Sequence, residues 1–483
     1  MSYQEIIETP KGLYIDGQWC DASDGATFSV TDPATGDVLA DVASASVDDA
    51  LAAVAAADAA GKAWAATPPR RRSDILRQAF ALLVARAESF ARLIVLESGK
   101  ALAEARGEVA YAAEFLRWYA EEAVRIVGEV STAPGGANRI LVVRQPIGVA
   151  VFVTPWNFPA AMVTRKIGPA LAAGCTVVLK PASETPLTAL AMAALFEEAG
   201  VPAGVVNVVP SRQSGQVVGA MLHDPRVRKL SFTGSTGIGR VLLAQAAGNV
   251  VKCSMELGGN APFIVFADAD LDAAVAAAMV AKLRNGGESC TAANRFYVER
   301  PVAEEFSRRF AAAMAAVNVG PGLDDGVQLG PLINGAALDK VAQLVDEAVA
   351  QGATVLTGGR ARAGRGYFYE PTLLAGVAPD ARILREEIFG PVAPVCVFDT
   401  VDEAVALAND TEYGLVAFVH TRDLAKALAV SERIEAGMVG INRGVVSDPA
   451  APFGGWKQSG VGREGGHDGL LEYLESKYIC VAW

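Results

Sequence analysis

The 483 residues carry 42 basic against 54 acidic side chains, a net charge of −12, and 52% of them are hydrophobic. A chain of this length outgrows a single hydrophobic core, so two or more domains are expected and a small binding module is disfavoured. No Lys/Arg-rich block is present to follow a phosphate backbone or an anionic membrane, which argues against nucleic-acid and membrane partners.

Met1 to Gly12 is polar and acidic, without the basic start and apolar run of a signal peptide, and no stretch reaches bilayer length. The protein is therefore expected to be soluble and cytoplasmic. Six cysteines (Cys20, Cys175, Cys253, Cys290, Cys396, Cys480) lie far apart with no CxxC pair, so reduced and mostly buried thiols are expected. The three histidines (His223, His420, His467) are also scattered, which speaks against a metal site or a Ser-His-Asp triad.

From Ser46 to Gly99 the chain is rich in Ala, Leu, Arg and Glu, and Ser46 with Asp49 makes a capping-box start. Two helices are expected here, broken near Thr67-Pro68-Pro69, and a third from Leu102 to Val127. None offers an obvious reactive group at a turn. Between Gly148 and Met255 short apolar runs (Gly148 to Val153, Thr176 to Leu179, Val205 to Val209, Lys229 to Phe232, Val250 to Met255) alternate with helical stretches. One of those stretches begins at Thr185-Pro186, an N-cap followed by proline. This alternation predicts βαβ units and an open parallel sheet, with ligands beyond the carboxyl ends of its strands. A second α/β pattern from Asn260 has strand candidates at Ala261 to Phe266, Arg295 to Val298, Ala393 to Phe398 and Leu415 to His420. The tail from Leu471 ends in Tyr478-Ile479-Cys480-Val481, an apolar run with no partner nearby in sequence and of the kind another subunit often covers.

Chemistry-bearing residues recur just past strands or on glycine turns. Cys290 follows Asn285-Gly286-Gly287-Glu288-Ser289, where a turn can present a thiolate, although a lone cysteine is more often a small buried residue. Glu256, in Met255-Glu256-Leu257-Gly258-Gly259-Asn260, ends a strand, where a lone Glu is usually solvated. Asn157, in Thr154-Pro155-Trp156-Asn157-Phe158-Pro159, can donate its amide to an oxyanion, although an Asn before proline is more commonly a helix N-cap. Phe232-Thr233-Gly234-Ser235-Thr236-Gly237-Ile238-Gly239 joins strand to helix, where a phosphate can meet backbone N–H groups, but its G-x-x-G-x-G spacing is not the usual dinucleotide fingerprint. Lys180-Pro181-Ala182-Ser183 places a cation and a hydroxyl after the second strand, or is an ordinary exposed turn.

Jointly these segments resemble the aldehyde dehydrogenase superfamily. Glu386-Glu387-Ile388-Phe389-Gly390-Pro391 and Pro452-Phe453-Gly454-Gly455 complete the series, in the family's order over nearly the whole chain. The resemblance implies an α/β fold with a Rossmann-type parallel-sheet cofactor domain, an α/β catalytic domain and a small β oligomerisation element. It sets residues 1–128 and 148–257 as the NAD(P)-binding domain, 258–451 as the catalytic domain, and 129–147 with 471–483 as the oligomerisation element of a homodimer or homotetramer. It also implies Cys290 as nucleophile, Glu256 as general base and Asn157 as oxyanion donor beside the Cys290 N–H. Trp156, Lys180, Ser183, Gly234, Ser235, Glu387 and Phe389 match positions around the cofactor. Ser183 stands where NAD-preferring members often have Glu, so NADP is expected to be accepted alongside NAD.

Within the superfamily the chain is most similar to succinate-semialdehyde dehydrogenases, through Ala160 to Lys166, Leu283-Arg284-Asn285 and Ser447. That implies a small-molecule aldehyde whose far carboxylate is held by Arg165, Arg284 and Ser447. Three departures stand out. Ala292 replaces a second cysteine often found two residues after the nucleophile, Arg443 puts a charge near the expected pocket, and Trp456 follows the Gly-Gly pair. The alternatives are a dehydrogenase of another carboxylated aldehyde, such as glutarate semialdehyde, and a CoA-acylating enzyme, which has no need of the base Glu256.

Overall fold

The computed structural model describes residues 9–482. The capping box forms as expected, since Ser46 Oγ accepts from the Asp49 N–H at 3.2 Å and the Asp49 carboxylate accepts from the Ser46 N–H at 2.9 Å. It opens α1 (Val47–Ala66), which is followed by α2 (Pro69–Ala85), α3 (Ala87–Ser98) and α4 (Leu102–Glu122). Ser46 to Gly99 thus holds three helices, not two. The extra break is at Arg86, whose backbone leaves the helical region (φ −107°, ψ 16°) while its guanidinium pairs with Glu198. Helix α4 stops at Glu122 and not at Val127, because the chain leaves it to form the exposed strand Glu129–Thr132. Gly128 packs so closely there that a Cβ would lie 2.3 Å from the Val142 carbonyl.

Further on come α5 (Ala161–Ala173), α6 (Pro186–Glu198), α7 (Ser214–His223), α8 (Thr236–Ala246) and α9 (Leu271–Leu283). The first large sheet has five parallel strands in the spatial order Val206–Val208, Thr176–Lys180, Val149–Val153, Val227–Thr233, Lys252–Glu256. Short antiparallel strands at Leu13–Ile15, Gln18–Cys20 and Gly460–Val461 extend its edges and were not anticipated. Successive strands run outward from Val149–Val153 in one direction, then return to its other flank at Val227–Thr233. A topological switch point therefore falls between those two strands, where the carboxyl-end loops part to leave a crevice. Apolar side chains fill both faces of this sheet.

The second sheet has seven strands in the order Thr354–Thr357, Thr372–Ala375, Val392–Phe398, Ala293–Glu299, Ala261–Val265, Val416–His420, Met438–Ile441. All pairs but the first are parallel. The four expected strands are present, joined by three short ones that periodicity did not reveal. The tail forms Leu474–Ala482, paired along its length with Asn138–Pro146, which pairs in turn with Glu129–Thr132. The apolar run thus has a partner within its own chain. Even so, Val130, Tyr478, Ile479 and Val481 remain exposed on this three-stranded sheet. The cysteines are free, but only Cys175 is buried, while Cys20 and Cys480 are exposed and the rest are intermediate. The expectation of mostly buried thiols is corrected, because Cys20 ends an exposed edge strand and Cys480 lies on a tail strand that is exposed on both faces. No helix of the described residues is long and apolar enough to cross a membrane.

Candidate active site

The switch point is the floor of a cavity of about 380 Å³. Its walls come from the loop after Val149–Val153 (Pro155, Trp156, Asn157), the start of α8 (Gly234, Ser235), the turn after Glu256 (Leu257, Gly258), and Cys290, Lys340, Glu387 and Phe389. Ser235 is the N-cap of α8, so the first turn of that helix opens on the cavity. A Cβ on Gly234 would lie 2.5 Å from the Phe232 ring, so any side chain there would force that ring to move. Trp156 and Phe389 meet edge to face at 5.5 Å on the opposite wall.

Cys290 sits where the two sheets meet. The segment Leu257 to Asn260 leads from the carboxyl end of Lys252–Glu256 in the first sheet into Ala261–Val265 of the second. The Cys290 loop packs against this link so closely that a Cβ on Gly259 would lie 2.3 Å from the Cys290 carbonyl. Between α9 and Cys290 the backbone turns through Asn285 (φ 55°), Gly286 (φ 67°) and Gly287 (φ 77°). The second sheet therefore brings its amino ends to the site, whereas the first brings its carboxyl ends.

The Asn157 amide nitrogen donates to the Glu288 carbonyl at 3.0 Å, which holds it beside the nucleophile loop with a second N–H to spare. The commoner use of such an Asn, as N-cap of α5, is filled instead by Glu108, whose Oε1 accepts from the Ala160 and Ala161 N–H groups. Asn285, which the sequence did not single out, clamps both partners by donating to the Asn157 and Glu288 carbonyls at 3.0 and 2.9 Å.

Glu256 is buried and its carboxylate oxygens have no hydrogen-bond partner. Burial, reinforced by the charge of Glu464, lifts its pKa well above the usual carboxylate range against the pull of Arg165 and Lys166. Burial and the Glu387 carboxylate push the Cys290 thiol up to about 12. Glu387 itself is pushed up to about 7 by burial, although it accepts the Gly259 N–H at 3.2 Å.

A second, smaller cavity opens on the other side of Cys290, lined by Tyr111, Phe158, Arg165, Arg284, Ser447 and Phe453 among others. Arg165 is buried, lies 3.7 Å from the Phe453 ring centroid and forms an ion pair through Nε with Glu464 at 3.0 Å, while neither Nε nor Nη2 makes a hydrogen bond. Arg284 lies 5.0 Å from the Phe158 ring centroid. Glu464 is a residue that sequence reading missed. It lies beyond the Pro-Phe-Gly-Gly segment and is brought to the site by the strand pairing of Gly460–Val461 and by its own antiparallel bridge to Phe453.

Three groups stand apart from these cavities. Lys180 and Ser183 line neither; Lys180 is buried, which pulls its ammonium down to about 8, and Ser183 Oγ donates to Glu184 at 3.3 Å. Glu256 lines neither cavity as the side chains stand. Arg443 is exposed and lines neither cavity. Trp456 is half exposed in a short antiparallel strand pair with Gly414.

A model described as the aldehyde dehydrogenase family matches residues 19–479. The chain is 57% identical over 445 residues to a succinate-semialdehyde dehydrogenase of Paenarthrobacter nicotinovorans, covering 92% of this chain and 99% of that one. It is 50% identical to a glutarate-semialdehyde dehydrogenase of Pseudomonas aeruginosa, covering 97% of each. Among solved structures, an NADP-dependent enzyme of E. coli superposes with a TM-score of 0.98 at 49% identity, covering 99% of both chains.

Proposed function

The chain belongs to the aldehyde dehydrogenase family and is an NAD(P)-dependent oxidoreductase, and from that premise we propose that it oxidises succinate semialdehyde to succinate through Cys290. The observation that carries the reading is the second cavity, where Arg165, Arg284 and Ser447 converge on the far side of Cys290 from the larger one. Two guanidinium groups and a hydroxyl suit a carboxylate at the far end of a short aldehyde.

In this reading Cys290 Sγ adds to the aldehyde carbon, and its proton leaves to solvent or to a carboxylate nearby. The oxyanion forms between the free N–H of Asn157 and the Cys290 N–H; removing such a donor costs roughly 3 to 4 kcal/mol in the transition state. The larger cavity suits a nicotinamide cofactor, because it combines the switch point, a helix N-terminus at Ser235, a glycine where any side chain would force the Phe232 ring to move and the carboxylate of Glu387. Trp156, Gly234, Ser235, Glu387 and Phe389 would hold that cofactor, with Lys180 and Ser183 reached by its adenosine end. When bound, the group takes up the hydride released as the thiohemiacetal becomes a thioester. Glu256, with its raised pKa, then takes a proton from the water that hydrolyses the thioester.

Residues 1–128 and 148–257 form the cofactor domain in this assignment and 258–451 the catalytic domain. The assigned oligomerisation element, 129–147 with 471–483, contains the three-stranded sheet of Glu129–Thr132, Asn138–Pro146 and Leu474–Ala482 and would be the surface through which a homodimer or homotetramer assembles. Six free thiols suit a cytoplasmic setting. Glutarate semialdehyde is the runner-up, favoured by the Pseudomonas aeruginosa relative. Measuring kcat/KM for the four- and five-carbon semialdehydes and for butanal, each with NADP and NAD, tests the reading. A preference for butanal over both semialdehydes would sink the carboxylate assignment. A hundredfold preference for NAD would contradict the role given to the neutral Ser183.

A further inference from the structure

We propose that Lys100 is a positioning residue for this reaction, its buried ammonium fixing the Asn157 main chain and, through it, the amide that faces Cys290. Lys100 lies at the junction of α3 and α4, just past Gly99, whose φ of 81° ends the first helix. It is 6% exposed. Its Nζ donates to Glu108 Oε2 and to the Asn157 carbonyl, both at 2.6 Å, and lies 4.5 Å from the Phe158 ring centroid. Carboxylate, carbonyl and ring face thus stand around an ammonium that has three N–H groups to place.

The two contacts of the pair divide the labour. Glu108 Oε1 already ties α4 to α5 by accepting from the Ala160 and Ala161 N–H groups, whether or not a lysine is near. What Lys100 adds is the bond to the Asn157 carbonyl. That oxygen also accepts from Asn285, so donors from two distant segments fix one peptide plane. With the plane fixed, the Asn157 Cα is held where its side-chain amide reaches the Glu288 carbonyl beside the Cys290 loop. Phe158, next in sequence, lines the second cavity and lies with its ring near both the Lys100 ammonium and the Arg284 guanidinium.

The inference rests on Asn157 as the oxyanion donor, and the test separates the two. Steady-state and single-turnover rates of the holoenzyme are measured with NADP and the aldehyde it oxidises best. Asn157→Ala must lower kcat; if it does not, the oxyanion reading fails and the role of Lys100 falls with it. Lys100→Met should lower kcat by roughly thirty- to a hundredfold, the scale of a misplaced catalytic group, with both KM values within about threefold of the parent. Because Met leaves the Glu108 carboxylate buried without its cation, Lys100→Met/Glu108→Gln is measured alongside; glutamine keeps an oxygen for the Ala160 N–H and removes the stranded charge. In an Asn157→Ala background, Lys100→Met should cost less than about threefold more, since groups that act as one unit are not additive. An equal fold-loss in both backgrounds, or an effect on KM alone, overturns the positioning role while leaving Asn157 its own.

Discussion

Burial pushes the Cys290 thiol and the Glu256 carboxyl up from their ordinary values, and each consequence is measurable. With its thiol pushed up to about 12, Cys290 in the free protein should be alkylated slowly by iodoacetamide at pH 7, the rate rising about tenfold per pH unit as thiolate forms. A Cys20→Ser/Cys480→Ser background removes the two exposed competitors; a rate flat between pH 7 and 9 would show a thiolate already present. Glu256 acts as a base only when ionised, so turnover limited by thioester hydrolysis should fall as pH drops through its raised pKa. Glu256→Gln should give one burst of reduced cofactor and then a steady rate lower by about a hundredfold or more; steady turnover near the parent rate rules it out as base. For the substrate, Arg165→Ala or Arg284→Ala should each lower kcat/KM for succinate semialdehyde about thirtyfold, from a lost charged hydrogen bond of about 2 kcal/mol, and leave butanal little changed. Equal losses on both aldehydes would return these arginines to a structural role. Cys290, Glu256 and Asn157 could be picked out as candidates because each sits in a marked setting, a glycine turn or the end of an apolar run. Lys100 and Glu464 could not, since each sits among glycines and other charged residues with nothing local to show that distant segments bury and pair it.

At the scale of elements, the open parallel sheet and the principal strands followed from apolar runs, and the capping box at Ser46 from two side chains three apart. The misses have local causes. Nothing but packing breaks the helix at Arg86, and strands as short as Thr354–Thr357 or Thr372–Ala375 give periodicity no room. Thr185-Pro186 marked a helix start at the right residue for the wrong reason. The Thr185 hydroxyl is buried and unpartnered, and the first N–H groups of α6, from Leu187 and Thr188, donate to Glu97 of α3 at 2.9 and 3.0 Å. Thr185→Val should therefore leave stability within about 0.5 kcal/mol, as no hydrogen bond is lost, whereas Glu97→Ala should cost about 2 kcal/mol or more by orphaning two buried donors. Urea unfolding distinguishes them, and a Thr185→Val loss as large as that of Glu97→Ala would restore threonine as the cap. Burial raises the Glu97 carboxyl from 4.5 to about 8. Such a group contributes stability in full below its unfolded value and loses it as pH climbs through the folded one. Its contribution should fade between about pH 4.5 and 8, and Glu97→Gln should flatten that part of the unfolding midpoint profile.

The whole molecule presents one surface that its own chain leaves unfinished, the three-stranded sheet carrying Val130, Tyr478, Ile479 and Val481 outward. An exposed edge and apolar face of this kind calls for cover. Tyr478→Glu/Ile479→Lys should shift the mass measured by light scattering toward the single chain, and an unchanged mass would move the assembly surface elsewhere. The relation between the two cavities reaches further. They meet at the nucleophile and have only Cys290 and Met162 in common among their lining residues. Selection acting on one wall is therefore nearly blind to the other. Under the proposed assignment of the two cavities, an ancestor of this layout can exchange the residues that would grip the tail of an aldehyde without disturbing those that would grip the redox partner, and so give rise to descendants that burn different fuels on the same oxidant. For protein engineering the same geography makes substrate range and cofactor preference two separate dials, with Met162 the one position where turning either moves both.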